Sequence, residues 1–216
     1  MGFLATFLDL LFPPKCVFCG GVLMHSDDAY CRRCERNLPF TEGDDTAWRG
    51  EGFDICVSPL HYRDEVRRSI LRYKFKGKSD YAESYGAVLA QCIRQNLAGK
   101  YDIISWIPLS EQRAKKRGYD QAMLLALAAA LGLDDVAVET LRKTRDACAQ
   151  STLSGRDARA ENISGAYEVA DAELVEGKRV LLIDDIVTTG STLAECARTL
   201  RAAGAVSVCA AALARA

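Results

Sequence analysis

The chain has 216 residues, of which 49% are hydrophobic and 26% are charged, and its formal net charge at pH 7 is −1. This composition is typical of a globular protein with one well-buried core and a small appendage. No apolar run reaches the roughly 18 residues that a membrane span requires, so we expect no membrane insertion. The near-zero net charge excludes a global basic field, and any attraction to nucleic acid has to be local.

The first element is a short helix predicted from residues 1–14, MGFLATFLDLLFPP. Two prolines stop this helix, and its apolar residues share one face: Phe3, Leu4, Phe7, Leu8 and Leu11. The segment lacks the basic region and the cleavage site of a secretory signal. We therefore expect the apolar face to pack on the protein itself and the chain to work in the cytoplasm, where cysteines stay reduced.

Two C-x-x-C pairs follow, formed by Cys16, Cys19, Cys31 and Cys34. Each pair can place two sulfurs on one side of a tight turn, about 2.3 Å from a tetrahedral Zn²⁺ ion. Four thiolates fill the coordination shell, so the pattern predicts a structural zinc site rather than a catalytic one. The alternative is a redox-active C-x-x-C, which needs one pair and does not explain two.

The composition changes after this segment. Residues 41–52, TEGDDTAWRGEG, are polar and contain glycine, as is typical of a linker. We expect two domains: residues 1–50 as the N-terminal helix and Cys₄ zinc ribbon, and residues 51–216 as a larger domain.

The larger domain alternates between strand and helix patterns. Strands are predicted at residues 55–62, 102–107, 136–141, 179–184 and 205–213, and helices at 64–75, 81–97, 120–131 and 191–203. Asp120 and Gly132 are the candidate N-cap and end of the 120–131 helix. The alternation predicts an α/β fold with a mostly parallel central sheet flanked by helices, whose ligands bind at the carboxyl ends of the strands. The long polar stretch 143–165 predicts a mobile loop that closes over a substrate.

Two basic segments lie in this domain. Residues 63–78 carry Lys or Arg at positions 63, 67, 68, 72, 74, 76 and 78, interleaved with Tyr73 and Phe75. Such a segment suits a single-stranded nucleic acid with bases stacked on the rings, or a solvated helix face with inward aromatics. In residues 113–121, RAKKRGYDQ, Arg113 and Arg117 follow a predicted strand and could neutralise an anionic ligand at its carboxyl end.

The strongest functional signal is VLLIDDIVTTGST at residues 180–192. A strand that is apolar on both faces ends in Asp184 and Asp185, and a hydroxyl-rich turn then precedes a helix. The unpaired N–H groups and positive dipole end of that helix suit a phosphate. Because carboxylates repel phosphate, we expect the aspartates to face sugar hydroxyls or Mg²⁺. Ribose 5-phosphate satisfies both ends, and an ordinary capped turn is the alternative. The chain contains neither a Walker A loop nor a G-x-G-x-x-G fingerprint.

This stretch resembles the signature of type I phosphoribosyltransferases, which bind 5-phosphoribosyl-1-pyrophosphate (PRPP). The cysteine quartet, R-G-Y-D-Q at 117–121, a T-x₅-Q-x₂-L-x₅-R-x₂-N pattern at 144–162 and the PRPP signature occur in that order, which resembles the ComF family over nearly the whole chain. The fold that this resemblance implies is a type I phosphoribosyltransferase-like domain with an N-terminal Cys₄ zinc ribbon. At two positions this chain departs from the family pattern, with Asp120 in place of Asn and Ala149 in place of Pro.

The resemblance also implies roles for residues. Asp184 and Asp185 would hold the ribose hydroxyls, and the 5-phosphate would lie in a turn made of Ile186, Val187, Thr188, Thr189, Gly190, Ser191 and Thr192. Arg113 and Arg117 would stabilise the pyrophosphate leaving group. The implied activity is Mg²⁺-dependent transfer of phosphoribosyl from PRPP to an unknown acceptor, linked to DNA uptake.

Two alternatives stay open at this point. One is a non-catalytic module that senses PRPP or a nucleotide and binds single-stranded DNA or competence proteins. The other is a structural adaptor with a vestigial site. No general base stands out, and a Ser-His-Asp triad has little support, since His25 and His61 are the only histidines.

Overall fold

The computed structural model describes residues 13–25, 28–144 and 165–216. The predicted N-terminal helix and nearly all of the predicted mobile loop lie outside the described residues, as does Ala149. None of the helices in the described ranges is long and apolar enough to cross a membrane.

The described chain alternates between helices and strands. In chain order the elements are α1 (Arg32–Asn37), β1 (Ala47–Gly50), β2 (Phe53–Val57), β3 (Leu60–His61), α2 (Asp64–Phe75), α3 (Tyr81–Leu97), β4 (Ile103–Trp106), α4 (Glu111–Arg117), α5 (Gln121–Gly132), β5 (Leu141–Lys143), β6 (Tyr167–Val169), β7 (Arg179–Val187), α6 (Ser191–Ala202) and β8 (Ser207–Arg215). The α/β architecture that the sequence predicts is therefore present.

The central sheet has the strand order β1-β2-β8-β7-β4, with β3 pairing with β8 beyond the end of β2. All pairings except β1–β2 are parallel, which confirms the predicted mostly parallel sheet. Strand β7 lies inside the sheet and its residues 180–183 are fully buried, which is why the sequence is apolar at every position there. Strands β5 and β6 form a separate two-stranded ribbon.

Successive side chains of β7 point to opposite faces of the sheet, so the strand contributes to a core on each face. Leu181 and Ile183 pack in a cluster with residues of α2, α3 and α5. Val180 and Leu182 pack in a second cluster with residues of α6. Consecutive side chains at the end of β7 are therefore placed on opposite sides of the sheet.

The predicted linker at residues 41–52 is wrong. A 3₁₀ turn occupies Gly43–Asp45 and β1 occupies Ala47–Gly50, and β1 pairs with β2 as an antiparallel hairpin. The hairpin joins residues on both sides of the expected domain boundary at residue 50. The polar composition misled the prediction because an edge strand needs only one apolar face.

Other differences from the predicted elements have local causes. The strand predicted at 55–62 is divided into β2 and β3 around Pro59, which has no N–H to donate to a ladder. In the strand predicted at 136–141, Ala137 makes one parallel bridge to Ile104, and β5 begins only at Leu141. Helix α4 and strand β6 were not predicted.

Helices α3 and α5 pack closely where Gly86 faces Ala128. A Cβ atom added at Gly86 would lie 2.5 Å from the Ala128 Cβ. We expect Gly86→Ala to lower the free energy of unfolding by about 1–3 kcal/mol through overpacking, although alanine favours helices by roughly 1 kcal/mol. The control is Ala87→Gly at the exposed neighbouring position. It should lower the free energy of unfolding by about 1 kcal/mol through the poorer helix propensity of glycine alone. Urea unfolding measures both, and a Gly86→Ala variant as stable as the original chain would contradict this packing.

Candidate functional site

The four cysteines of the two C-x-x-C pairs lie together, with their sulfur atoms all within 4.8 Å of one another. The Sγ–Sγ distance is 3.6 Å between Cys16 and Cys34 and 3.5 Å between Cys19 and Cys31. A tetrahedral zinc ion with bonds of about 2.3 Å requires sulfurs roughly 3.8 Å apart. The quartet therefore has the size and chemistry of a zinc site, and in the described ranges His25 is not part of it.

Local backbone structure explains how each pair reaches this position. The first pair lies on a turn closed by hydrogen bonds between Cys16 and residues 20 and 21, with Gly20 at a φ of 75°. In the second pair, Cys31 is the N-cap of α1 and Cys34 lies in its first turn. Burial raises the pKa of Cys34 well above its usual range, so zinc binding has to displace a proton from this thiol.

The turn between β7 and α6 has the form expected of an anion site. Gly190 has a φ of 79°, in the left-handed region that a side chain disfavours, and α6 begins at the next residue. Thr188 and Thr189 are exposed, and the Thr189 hydroxyl lies 2.9 Å from the Ser191 hydroxyl. Asp184 and residues 186–193 line one small cavity. The structure thus brings Asp184 and the predicted phosphate turn together.

The β1–β2 hairpin supports this turn from below. The Phe53 ring on β2 lies 3.6 Å from the point where a Cβ of Gly190 would be. Gly52, with a φ of 85°, lies close to α6. A Cβ atom added at Gly52 would be 3.1 Å from the Ala194 backbone oxygen. This support was not predicted from the sequence, because residues 41–52 resembled a linker.

Asp184 and Asp185 point away from each other. Asp184 lies on the α6 side, where its Oδ1 accepts the Asp185 backbone N–H at 2.8 Å. Burial raises the pKa of Asp184 well above its usual range, and the neighbouring Asp185 charge raises it further, while Lys74 opposes this change. Asp184 therefore holds a proton more tightly than an exposed carboxylate does.

Asp185 lies on the opposite side, where it pairs with Lys74 of α2. The Lys74 Nζ is 2.7 Å from the Asp185 Oδ1, and the two side chains are only 18% and 9% exposed. Sequence analysis placed Lys74 in a basic segment and did not assign it to the site. The signal available was its position directly after Tyr73, an inward-facing residue of a helix that is rich in arginine and lysine.

Arg113 and Arg117 are placed by α4, at the carboxyl end of β4. Ser110 caps the start of α4 by accepting the Arg113 backbone N–H, and Gly118 ends it in a left-handed conformation. The Arg117 guanidinium lies 5.1 Å from the centre of the Phe75 ring and donates to the Gln121 Oε1 at 2.8 Å.

The side chain of Arg113 is exposed. Burial raises the pKa of Tyr167, and the charges of Asp184 and Arg113 both act on this phenol. Arg117 therefore lies towards the α2 side of the sheet, whereas the charge of Arg113 is felt on the Asp184 side.

Asp120, which departs from the family pattern, has a structural role. Its Oδ1 accepts the Met123 N–H at 3.1 Å, as the predicted N-cap of α5, and its Oδ2 accepts the Leu109 N–H at 2.8 Å. The carboxylate therefore ties the segment after β4 to the start of α5. Burial raises its pKa, backbone hydrogen bonds oppose this rise, and the Asp185 charge adds to it.

Comparisons with known proteins match both parts of the chain. Residues 116–216 match the phosphoribosyl transferase domain, and residues 7–44 match the double zinc ribbon domain. These matches agree with the predicted fold class. The first match runs from the end of α4 to the last residue of the chain and contains both aspartates and the turn that follows them.

Three curated proteins are similar over most of the chain. Competence protein F of Haemophilus influenzae is 28% identical over 197 residues, which cover 88% of this chain and 80% of that protein. Competence protein ComFC of Bacillus subtilis is 27% identical over 190 residues, covering 86% and 70%. DNA utilization protein YhgH of Escherichia coli (strain K12) is 30% identical over 199 residues, covering 89% and 80%.

The raised pKa of Asp184 predicts a pH-dependent cost to stability. Above the usual pKa of aspartate, the unfolded chain loses a proton that the folded chain retains, so the free energy of unfolding falls as pH rises through this window. Asp184→Asn removes this effect and should stabilise the protein by about 0.5–2 kcal/mol at about pH 8. The gain in stability should be much smaller at about pH 5, where the free energy of unfolding of the original chain has only begun to fall.

Urea unfolding of Asp184→Asn at both pH values is the measurement. The exposed Asp44 in the 3₁₀ turn provides the control Asp44→Asn, which should change stability little at either pH. An Asp184→Asn variant that is less stable than the original chain at the higher pH, or equally stabilised at both, would show that this carboxyl group carries no such cost.

Proposed function

This chain belongs to the ComF family of competence and DNA utilization proteins, and from that premise we propose that its larger domain transfers the phosphoribosyl group of PRPP to an acceptor. The observation that supports this proposal most is the single cavity lined by Asp184 and the turn at residues 186–193. In this cavity the start of α6 and the Asp184 carboxyl group lie side by side, which is the arrangement that binding of a phosphate and a sugar ring in one ligand would require. The match to the phosphoribosyl transferase domain supports the same assignment.

In this proposal the turn binds the 5-phosphate of PRPP. The backbone N–H groups at the start of α6 and the hydroxyls of Thr188, Thr189 and Ser191 supply donors, and the helix dipole is positive there. Asp184, which holds a proton tightly, can donate to one ribose oxygen, and Asp185 accepts from another hydroxyl. Binding at these groups fixes the reacting carbon C1 without touching it.

The chemical step breaks the bond between C1 and the pyrophosphate oxygen, and both bonding electrons leave with pyrophosphate. The electron-poor carbon then forms a bond to a nucleophilic atom of the acceptor, which loses its proton to the released pyrophosphate or to solvent. Arg113 and Arg117, which both lie on α4, would stabilise the negative charge that develops on the leaving group. The acceptor is the one component for which we assign no residue.

Mg²⁺ is expected to arrive with PRPP. Within the described ranges, the cysteine quartet is the only group of three or more His, Cys, Asp or Glu side chains close enough to share an ion. Asp184 and Asp185 would be the nearby carboxyl groups for such an ion, which would neutralise negative charge on the leaving group. A cytoplasmic location belongs to the same proposal, because a Cys₄ zinc site depends on reduced thiols.

A second candidate function, the binding of single-stranded DNA, is favoured by one surface. The exposed arginines of α1, of α2 and of the N-cap of α2 form what we call the α1–α2 arginine surface: Arg32, Arg33, Arg36, Arg63, Arg67 and Arg68. The two groups are close, because the charge of Arg33 acts on Glu65 in α2. The six arginines outnumber the neighbouring carboxylates of Glu35, Asp64 and Glu65, so the surface keeps a local positive charge that the whole chain lacks.

The stacking role considered for Tyr73 is wrong, since this ring is fully buried. Phe75 is 60% exposed but lies under the guanidinium of Arg117. Any DNA binding on the α1–α2 arginine surface would therefore depend on phosphate contacts.

The transfer proposal is tested by PRPP binding and pyrophosphate release. Zinc-loaded protein with Mg²⁺ should bind PRPP in a calorimetric titration and release pyrophosphate when a panel of nucleobases and amines is supplied. Asp184→Asn should lower the PRPP affinity about tenfold, because an amide N–H, which makes a longer hydrogen bond, replaces the carboxyl O–H that donates to the ribose. Glu83→Gln, the same change on the exposed face of α3, is the control.

The outcomes separate the hypotheses. Binding without release across the panel supports a sensor rather than an enzyme. No PRPP binding by the original chain, or equal affinity in Asp184→Asn, contradicts the proposed site.

The DNA candidate is tested by its dependence on salt. The affinity for a fluorescent oligothymidylate should fall steeply between about 50 and 200 mM salt, with a log–log slope of roughly −0.7 for each phosphate contact. The double variant Arg33→Ala/Arg67→Ala should make that slope less steep, by the amount that one to two phosphate contacts contribute. Arg142→Ala, which changes an exposed arginine of β5, should leave the slope unchanged. An affinity indifferent to salt, or unchanged in the double variant, rules out this surface.

A further inference from the structure

Helix α2 contacts the zinc ribbon through two polar side chains. The Arg72 Nη2 donates to the backbone carbonyls of Val17 at 2.9 Å and Phe18 at 2.8 Å. The buried Ser69 hydroxyl also donates to the Val17 carbonyl. Val17 and Phe18 are the two residues between Cys16 and Cys19, so α2 holds the backbone of the first C-x-x-C turn.

Aromatic packing reinforces this contact. The buried Phe18 ring lies 5.6 Å from the Tyr85 ring of α3, and the Tyr85 hydroxyl lies 2.5 Å from the Ser69 hydroxyl. The Tyr85 ring in turn packs edge-on against Tyr73 of α2, at 5.3 Å. The ribbon turn and the helix pair α2–α3 therefore share one buried cluster, and a shift of the turn cannot leave α2 unaffected.

The same helix contacts the candidate phosphoribosyl site through Lys74, two residues after Arg72. The Lys74 Nζ lies 2.7 Å from the Asp185 Oδ1 in a largely buried ion pair. The adjacent Tyr73 hydroxyl donates to the Gln121 carbonyl at 2.9 Å, which fixes the helix against the start of α5. Within three consecutive residues, α2 thus joins the ribbon, the start of α5 and the ribose carboxylate.

The charge balance makes the position of Lys74 important. Both Asp184 and Asp120 feel the negative charge of Asp185, and Lys74 is the cation that opposes the rise in the pKa of Asp184. A buried carboxylate that loses its cation is strongly destabilised and moves or takes up a proton. A small displacement of α2 would therefore move the Asp185 carboxylate.

We propose that the zinc ribbon is a positioning element for the phosphoribosyl site and acts through Arg72, helix α2 and Lys74. Zinc fixes the first C-x-x-C turn, the carbonyls of that turn hold Arg72, and α2 then holds Lys74 against Asp185. Lys74 is a positioning residue, because it acts on the sugar through Asp185. The inference rests on the proposed function, since it assigns a ribose-binding role to Asp185.

The inference predicts reciprocal coupling between zinc and a phosphosugar. If zinc raises the affinity for ribose 5-phosphate by some factor, ribose 5-phosphate has to raise the affinity for zinc by the same factor. Couplings between sites are typically about 5- to 150-fold. A zinc site that served only to fold the ribbon would show no such dependence.

The experiment is a calorimetric titration of ribose 5-phosphate into zinc-loaded and chelator-treated protein. We expect zinc removal to weaken binding about 5-fold or more. In a separate zinc competition with a chromophoric chelator, saturating ribose 5-phosphate should strengthen zinc retention by the same factor. This second readout does not depend on catalytic activity.

Two sets of variants keep the test independent of gross unfolding. Arg72→Leu should retain zinc and secondary structure, weaken ribose 5-phosphate binding and abolish its dependence on zinc. Its control is Arg94→Leu, an exposed arginine of α3 that likewise donates to a backbone carbonyl, that of Gly132 at 2.6 Å. Lys74→Met should weaken binding, and Lys74→Arg should restore part of it.

Failure of the inference and failure of the proposed function are distinguishable. If zinc-loaded protein binds neither ribose 5-phosphate nor PRPP, the proposed function fails. If it binds ribose 5-phosphate with the same affinity with and without zinc, or if Arg72→Leu stays coupled to zinc, the phosphosugar site stands and the ribbon is only a separate structural unit.

Discussion

Two adjacent carboxyl groups at the buried end of β7 are the constraint on which the rest of this structure depends. Burying Asp184 and Asp185 next to each other is unfavourable unless each finds compensation. The fold supplies two different kinds. Asp185 pairs with Lys74 on one side of the sheet, and Asp184 is turned to the other side, where its pKa is raised by burial. A chain under no functional requirement would place apolar side chains at these positions.

The elements around β7 are arranged to meet this constraint. Helix α2 is held against the start of α5 through Tyr73 and supplies Lys74. On the other side, the β1–β2 hairpin places Phe53 under Gly190, which supports the turn that begins α6. A site whose own groups are unfavourable for stability depends on such surroundings, and positions of this kind commonly trade stability for function.

The parts predicted from sequence are those with strong periodicity or strict spacing. The parallel sheet followed from β–α alternation and from the apolar run of β7, and the cysteine quartet followed from its spacing. Asp120 was predicted as an N-cap because it precedes an apolar helix, and the structure confirms it. The position of Asp184 beside the turn at residues 186–193 was predicted because an apolar strand, a hydroxyl-rich turn and a helix follow one another in the sequence.

The parts that sequence reasoning missed depend on tertiary contacts. Strand β1 has a polar composition and becomes a strand only because β2 lies beside it. Helix α4 is short, and its signals were the cap at Ser110 and the left-handed Gly118 rather than apolar periodicity. The pairing of Lys74 with Asp185 joins residues more than a hundred positions apart, so no local pattern contains it.

The central claim is that one phosphosugar contacts the turn and the aspartates at the same time, and a crystal structure with saturating ribose 5-phosphate tests it most directly. The account predicts the phosphate at the N–H groups that begin α6 and the ribose hydroxyls at the carboxyl groups of Asp184 and Asp185. A phosphate bound elsewhere on the chain, or an empty turn at saturating ligand, would contradict it.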